Sequence, residues 1–82
     1  MEALMNYFAE NLTDVLRIKK VSQKQLADLL GVKPNTVNQW VKGKREPTYD
    51  LLIKLCILLD TEPTEILGYQ KVKMLNGESD EV

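Results

Sequence analysis

The chain has 82 residues, 44% of them hydrophobic and 28% charged, a composition that suits one globular domain with one core and excludes a chain disordered over most of its length. It has no His and a single Cys, so catalysis would fall to Asp, Glu or Lys alone, and an internal disulfide is impossible. The net charge of −1 hides an uneven distribution: residues 1–20 are neutral, residues 21–47 carry +3 and residues 48–82 carry −4. A basic middle beside an acidic C-terminal part is the asymmetry expected if one face meets an anion.

No apolar run approaches the length of a membrane span, and "MEALMNYFAEN" lacks the basic start of a signal peptide. A cytoplasmic protein with no membrane partner is expected. Paired carboxylates, a glycine-rich phosphate loop and metal-ligand spacing are all missing, so no enzymatic role, metal, cofactor or small-molecule ligand is expected. Cys56 lies inside the apolar run "LLIKLCILLD" and reads as a core thiol.

In chain order, five helical segments and no strand emerge. The first spans about residues 2–19, with Leu4, Phe8, Leu12 and Val15 along one stripe. The second starts after Ser22, whose hydroxyl can cap it, and Gln25 three places later completes a capping-box pattern. It stops at Gly31. The third covers about residues 34–42, with Pro34 in its first turn, where a missing N–H costs nothing, and Gly43 after its end. The fourth runs from its cap Thr48 to about Leu59, and a short fifth from Pro63 to Leu67 closes at Gly68. Residues 76–82 are expected to be disordered, and residues 69–75 are left open.

The second and third helices are joined by little more than "GVK". Such a short link forces a steep crossing and needs a small residue where the helices touch. Ala27 fills that role, and Leu26, Leu30, Val32, Val37 and Trp40 supply a shared core. The pattern is a helix-turn-helix. Its third helix has an unusual polar face: once Val37, Trp40 and Val41 are assigned to the apolar stripe, Asn35, Thr36, Asn38, Gln39 and Lys42 remain, with no acid among them.

The stretch "VSQKQLADLLGVKPNTVNQWVKGKREPTYDLLIKLCILLDTEPTEILG" resembles the small DNA-binding domains of Cro and phage-repressor type, the XRE-like helix-turn-helix proteins. With the first helix the resemblance covers about residues 8–68. It rests on "SQ" opening the second helix, "LA" in its middle, Gly31, Val37, Trp40, "GKREP" and the "LL-K-L" run. It implies an all-α, compact five-helix repressor-type domain over residues 1–68, followed by a tail over residues 69–82.

The resemblance also implies a transcriptional regulator, in the simplest case a repressor, binding double-stranded DNA as a homodimer. The third helix would lie in the major groove, with half-sites roughly 34 Å apart on a pseudo-palindromic operator. By position, Asn35, Thr36 and Gln39 match base readers, and Asn38 beside them is grouped with the readers. Gln23, Lys42, Lys44 and Arg45 match phosphate-contacting positions, and Lys33 is grouped with them. This agrees with the residues' chemistry. Asn and Gln can donate and accept at once, matching N6 and N7 of adenine, Thr can meet a thymine methyl, and the cations give affinity without sequence information. The alternative is an antitoxin or other protein-interaction module whose helix-turn-helix also binds DNA.

Two positions depart from the family pattern. Leu16 and Val41 stand where an Arg–Glu pair is usual, which predicts an apolar contact in its place. Lys20 stands where Gly is common, which predicts strain if the backbone keeps a positive φ there. The fourth helix is apolar almost all round. Tyr49, Leu52, Leu55, Cys56 and Leu59 are assigned to the core, leaving Leu51, Ile57 and Leu58, with Pro63, as the expected dimer interface.

Overall fold

The computed structural model describes residues 2–69, and the side chains of residues 7–69. Expectations for the Leu4 side chain and for residues 70–82 lie outside that range. The described chain is all helical: α1 (Glu2–Lys19), α2 (Gln23–Leu30), α3 (Pro34–Val41), α4 (Tyr49–Leu59) and α5 (Pro63–Ile66). These bounds lie within about a residue of those expected from the sequence.

Local chemistry accounts for the agreement. At the start of α2, Gln25 N–H donates to Ser22 Oγ at 3.0 Å, and Ser22 N–H donates to Gln25 Oε1 at 2.8 Å. Two of the donors that a helix start leaves orphaned are satisfied by each other's residues. Thr48 caps α4 by accepting from Leu51 N–H at 3.3 Å.

The C-terminal stops of α1, α2, α3 and α4 share one device. A residue with positive φ lets the next N–H reach back to a carbonyl in the last turn: Val21 to Leu16, Val32 to Ala27, Lys44 to Gln39 and Thr61 to Cys56, all at 2.9–3.0 Å. The residues that turn the chain are Lys20, Gly31, Gly43 and Asp60, with φ of 60°, 75°, 75° and 54°. Lys20 therefore sits in the left-handed region, so the condition for strain at this departure from the family pattern is met. Gly68 is more demanding. It combines φ +77° with a close approach to α1, where an added Cβ would lie 2.8 Å from Tyr7 Cβ. Only Gly fits that junction.

The core is built around Trp40, Leu12, Leu26, Leu55, Ile66 and Val37, with Phe8, Leu16, Ala27, Leu30, Cys56 and Leu59 closing it. Each helix contributes, so none has a private core. Burial pushes the Cys56 thiol above its ordinary pKa, as a desolvated core thiol should be. Asn11 ties α1 to the end of α5, its Nδ2 donating to the carbonyls of Glu65 and Ile66 at 3.1 and 3.2 Å.

Leu16 is buried and Val41 packs against the core that contains it; both line one cleft with Thr13, Val21 and Gln23. Apolar side chains that share one core and one cleft thus stand where an ion pair is usual in the family. On α4 the sequence assignment needs correction at two residues. Tyr49, assigned to the core, is 87% exposed: it opens α4, beyond the reach of the helices that cover the later turns, and stands at the rim of a cleft formed with Phe8, Pro47, Leu52 and Leu67. Leu51, expected to face away from the core, is half-buried and packs against it.

Candidate nucleic-acid interface

α3 is eight residues long and two-faced. Val37 and Trp40 are buried at 0% and 2% exposure, so the helix can sit in only one rotational setting against α1 and α2. That setting leaves Asn35 exposed and Thr36, Asn38 and Gln39 partly so. Ala27 is fully buried on α2, contributing only a methyl group to the core, and α2 packs directly on α3. A larger side chain there would push the polar face of α3 out of position.

The four polar residues are not equivalent. Asn35, Thr36 and Gln39 have no side-chain hydrogen bond among the described residues. They line one cleft with Arg45, Glu46, Thr48 and Leu51, between α3 and the strap that leads into α4. Leu51 thus lies on this side of the molecule, filling space beneath the strap. Asn38 differs: its Nδ2 donates to Gln23 Oε1 at 3.1 Å, joining α3 to the first residue of α2.

The cations sit at both ends of the same helix. Lys33 is the N-cap residue of α3, exposed and without a side-chain capping bond. No acid occupies the first turn of α2 or of α3. Helices usually favour acids there, where the dipole is positive, so positive potential is left uncancelled. At the other end, the main-chain N–H groups of Lys44 and Arg45 both donate to the Gln39 carbonyl, at 2.9 and 3.3 Å. The basic turn is thereby held to the residue whose amide faces outward. Lys42, Lys44 and Arg45 are exposed. The one ion pair among the described residues joins Arg17 to Asp14 on α1, so no carboxylate there neutralises Lys33, Lys42, Lys44 or Arg45.

A second surface lies on α4 and α5. Ile57 is 73% exposed, and Ile53 and Leu58 are exposed beside it in the same helix. Ile53, Cys56, Ile57 and Pro63 line a shallow cavity rimmed by Asp60, Glu62 and Glu65. Ile53 was missed from sequence; only its position in the packed helix separates it from the buried stripe of Leu55, Cys56 and Leu59. No helix among the described residues is long and apolar enough to cross a membrane.

Five helices, a three-residue turn between α2 and α3, and an amide-bearing, cation-flanked α3 define a helix-turn-helix protein. The chain belongs to the helix-turn-helix family, whose model matches residues 16–66. Two Bacillus subtilis relatives are each 36% identical. One is an uncharacterized HTH-type transcriptional regulator, YqaE, over 90% of this chain and 57% of that protein. The other is the HTH-type transcriptional regulator AnsR, over 78% of this chain and 55% of that protein. The chain therefore spans little more than half the length of these curated relatives.

Among solved structures, it is similar to the restriction-modification controller protein C.AhdI from Aeromonas hydrophila. The TM-score is 0.71 and the identity 31%, covering 78% of this chain and 97% of that one. A transcriptional regulator from Listeria innocua gives a TM-score of 0.70 and 28% identity, covering 90% and 79% of the two chains.

Proposed function

We propose that this protein is a sequence-specific, double-stranded DNA-binding transcriptional regulator without enzymatic activity, acting as a repressor on a pseudo-palindromic operator. The observation that carries this reading is the surface of α3: free amides and a hydroxyl at Asn35, Thr36 and Gln39, no acid, and unneutralised cations at both ends. Such groups match base edges in the major groove, and the cations match the phosphates on either side. Membership of the helix-turn-helix family and the regulator names of the relatives support the same reading.

In this reading Gln39, Asn35 and Thr36 contact bases. Gln23, Lys33, Lys42, Lys44 and Arg45 contact phosphates. The protein acts as a homodimer through the apolar surface of α4 and α5, with Ile57, Leu58, Pro63 and Ile53 at its centre. An exposed apolar patch flanked by carboxylates on the face bearing Ile57 supports that placement, because a lone small domain gains nothing from leaving Ile57 and Ile53 in water.

Selection of bound duplexes from a random DNA pool near physiological salt, followed by sequencing, tests the function. An enriched palindrome with half-sites one helical turn apart is the expected outcome. No enrichment, or binding that vanishes with modest added salt, would remove the operator and turn attention to a protein partner.

A further inference from the structure

Asn38 occupies the same helix face as the free amides, yet its own amide is already bonded. Its Nδ2 donates to Gln23 Oε1 at 3.1 Å, half-buried between α2 and α3. A pair of primary amides can be joined in two ways. Either Asn38 donates, leaving the Nε2 end of Gln23 for an outside partner, or Gln23 donates to Asn38 and leaves its own oxygen outward. The first leaves both Nε2 hydrogens of Gln23 for an anion, whereas the second spends one of them on Asn38 and turns the Gln23 carbonyl dipole outward. The first is the one this structure holds. Gln23 is the opening residue of α2, next to Lys24 and with no acid in that first turn, so the potential at this amide also favours an anion.

We propose that Asn38 is a positioning residue and not a base reader: it turns the Gln23 oxygen inward and so presents the Gln23 Nε2 hydrogens to a backbone phosphate. The proposal rests on the DNA-binding reading and deepens it, moving Asn38 from sequence recognition to non-specific affinity. Its effect is preorganisation. An unrestrained Gln amide samples both faces and several rotamers, and an anion would have to select one of them at binding.

The test uses the full chain, with Asn38→Ala, Gln23→Ala and the double variant. Each is titrated by fluorescence anisotropy onto the duplex enriched in the selection and onto an arbitrary duplex of equal length. Ala is the best helix former, so the variants should keep α2 and α3, and a thermal melt of each checks this. Asn38→Ala is expected to weaken both duplexes by the same factor, about 2- to 10-fold, the scale of one hydrogen bond. Selection repeated with Asn38→Ala should return the same sequence, and adding Asn38→Ala to Gln23→Ala should cost nothing further. A changed preference at one base pair, or losses that multiply in the double variant, would overturn the assignment while leaving DNA binding in place.

A DNA-free readout separates the two levels. In the unbound protein, Asn38→Ala should shift the side-chain amide resonances of Gln23. Unmoved resonances overturn the pairing whatever the DNA result. Failure of the unaltered chain to bind either duplex overturns the DNA reading, and this assignment with it.

Discussion

Gln39 is tied to its neighbours through its backbone and not through its side chain. Its carbonyl accepts from Lys44 and Arg45, while its amide has no partner among the described residues. Gln39→Ala therefore removes the amide and leaves the basic turn anchored. In the proposed reading it should weaken the specific duplex by ~1–3 kcal/mol and relax preference at one base position. Equal loss on every duplex, measured by titration, would take Gln39 out of the set of readers.

Lys20 allows a second prediction at this scale. A non-Gly residue at φ 60° costs roughly 1–2 kcal/mol, whereas Gly adds about 0.5–1 kcal/mol of unfolded-state entropy. Relief is the larger effect, so Lys20→Gly should raise the melting temperature slightly. A fall would mean that the Lys20 side chain makes a stabilising contact that outweighs its strain. The end of α1 near Lys20, though not its positive φ, could be inferred from sequence because a helix stop is set by the few residues around it. The pairing of Asn38 with Gln23 could not: 15 positions separate them, and nothing in either residue type names the other.

At the scale of elements, helix starts and stops were legible because each is a local hydrogen-bonding problem, and Ser22 with Gln25 solves one within four residues. What α4 does with its sides was harder. Its residues are apolar almost all round, so periodicity alone does not say which stripe faces inward. Tyr49 was placed in the core and Leu51 outside it, and packing reverses both. The α2–α3 junction is the opposite case, since a three-residue link permits few arrangements and Ala27 marks the contact point. Ala27→Leu would push three extra carbons into a site with no exposed surface, at a cost of about 1–3 kcal/mol. Chemical denaturation should show that loss. A stability unchanged within error would mean that α3 can move away from α2 freely.

At the scale of the whole molecule, the proposed reading divides the work between two surfaces. Lys44 is far from neutralised and exposed, so Lys44→Ala should weaken all duplexes alike. It should also reduce the slope of log affinity against log salt by about 1. An unchanged slope would place Lys44 outside the phosphate contacts. On the other surface, the proposed dimer predicts that Ile57→Lys sediments as a monomer in analytical ultracentrifugation where the unaltered chain sediments as a dimer, with the melting temperature of the monomer nearly unchanged, because Ile57 is 73% exposed within the chain. A variant that sediments like the unaltered protein would exclude this face from the interface.

Taken by itself, the sequence determined the number, bounds and caps of the helices, the small residue between α2 and α3, and the polar set on α3. Each follows from spacing within a few residues, where the backbone's geometry leaves few options. Tertiary structure alone decided which of those polar groups are free, which side of α4 is outside, and that the basic turn is tied to the Gln39 carbonyl. The reason is burial: whether a side chain meets water or another helix depends on segments far away in the chain.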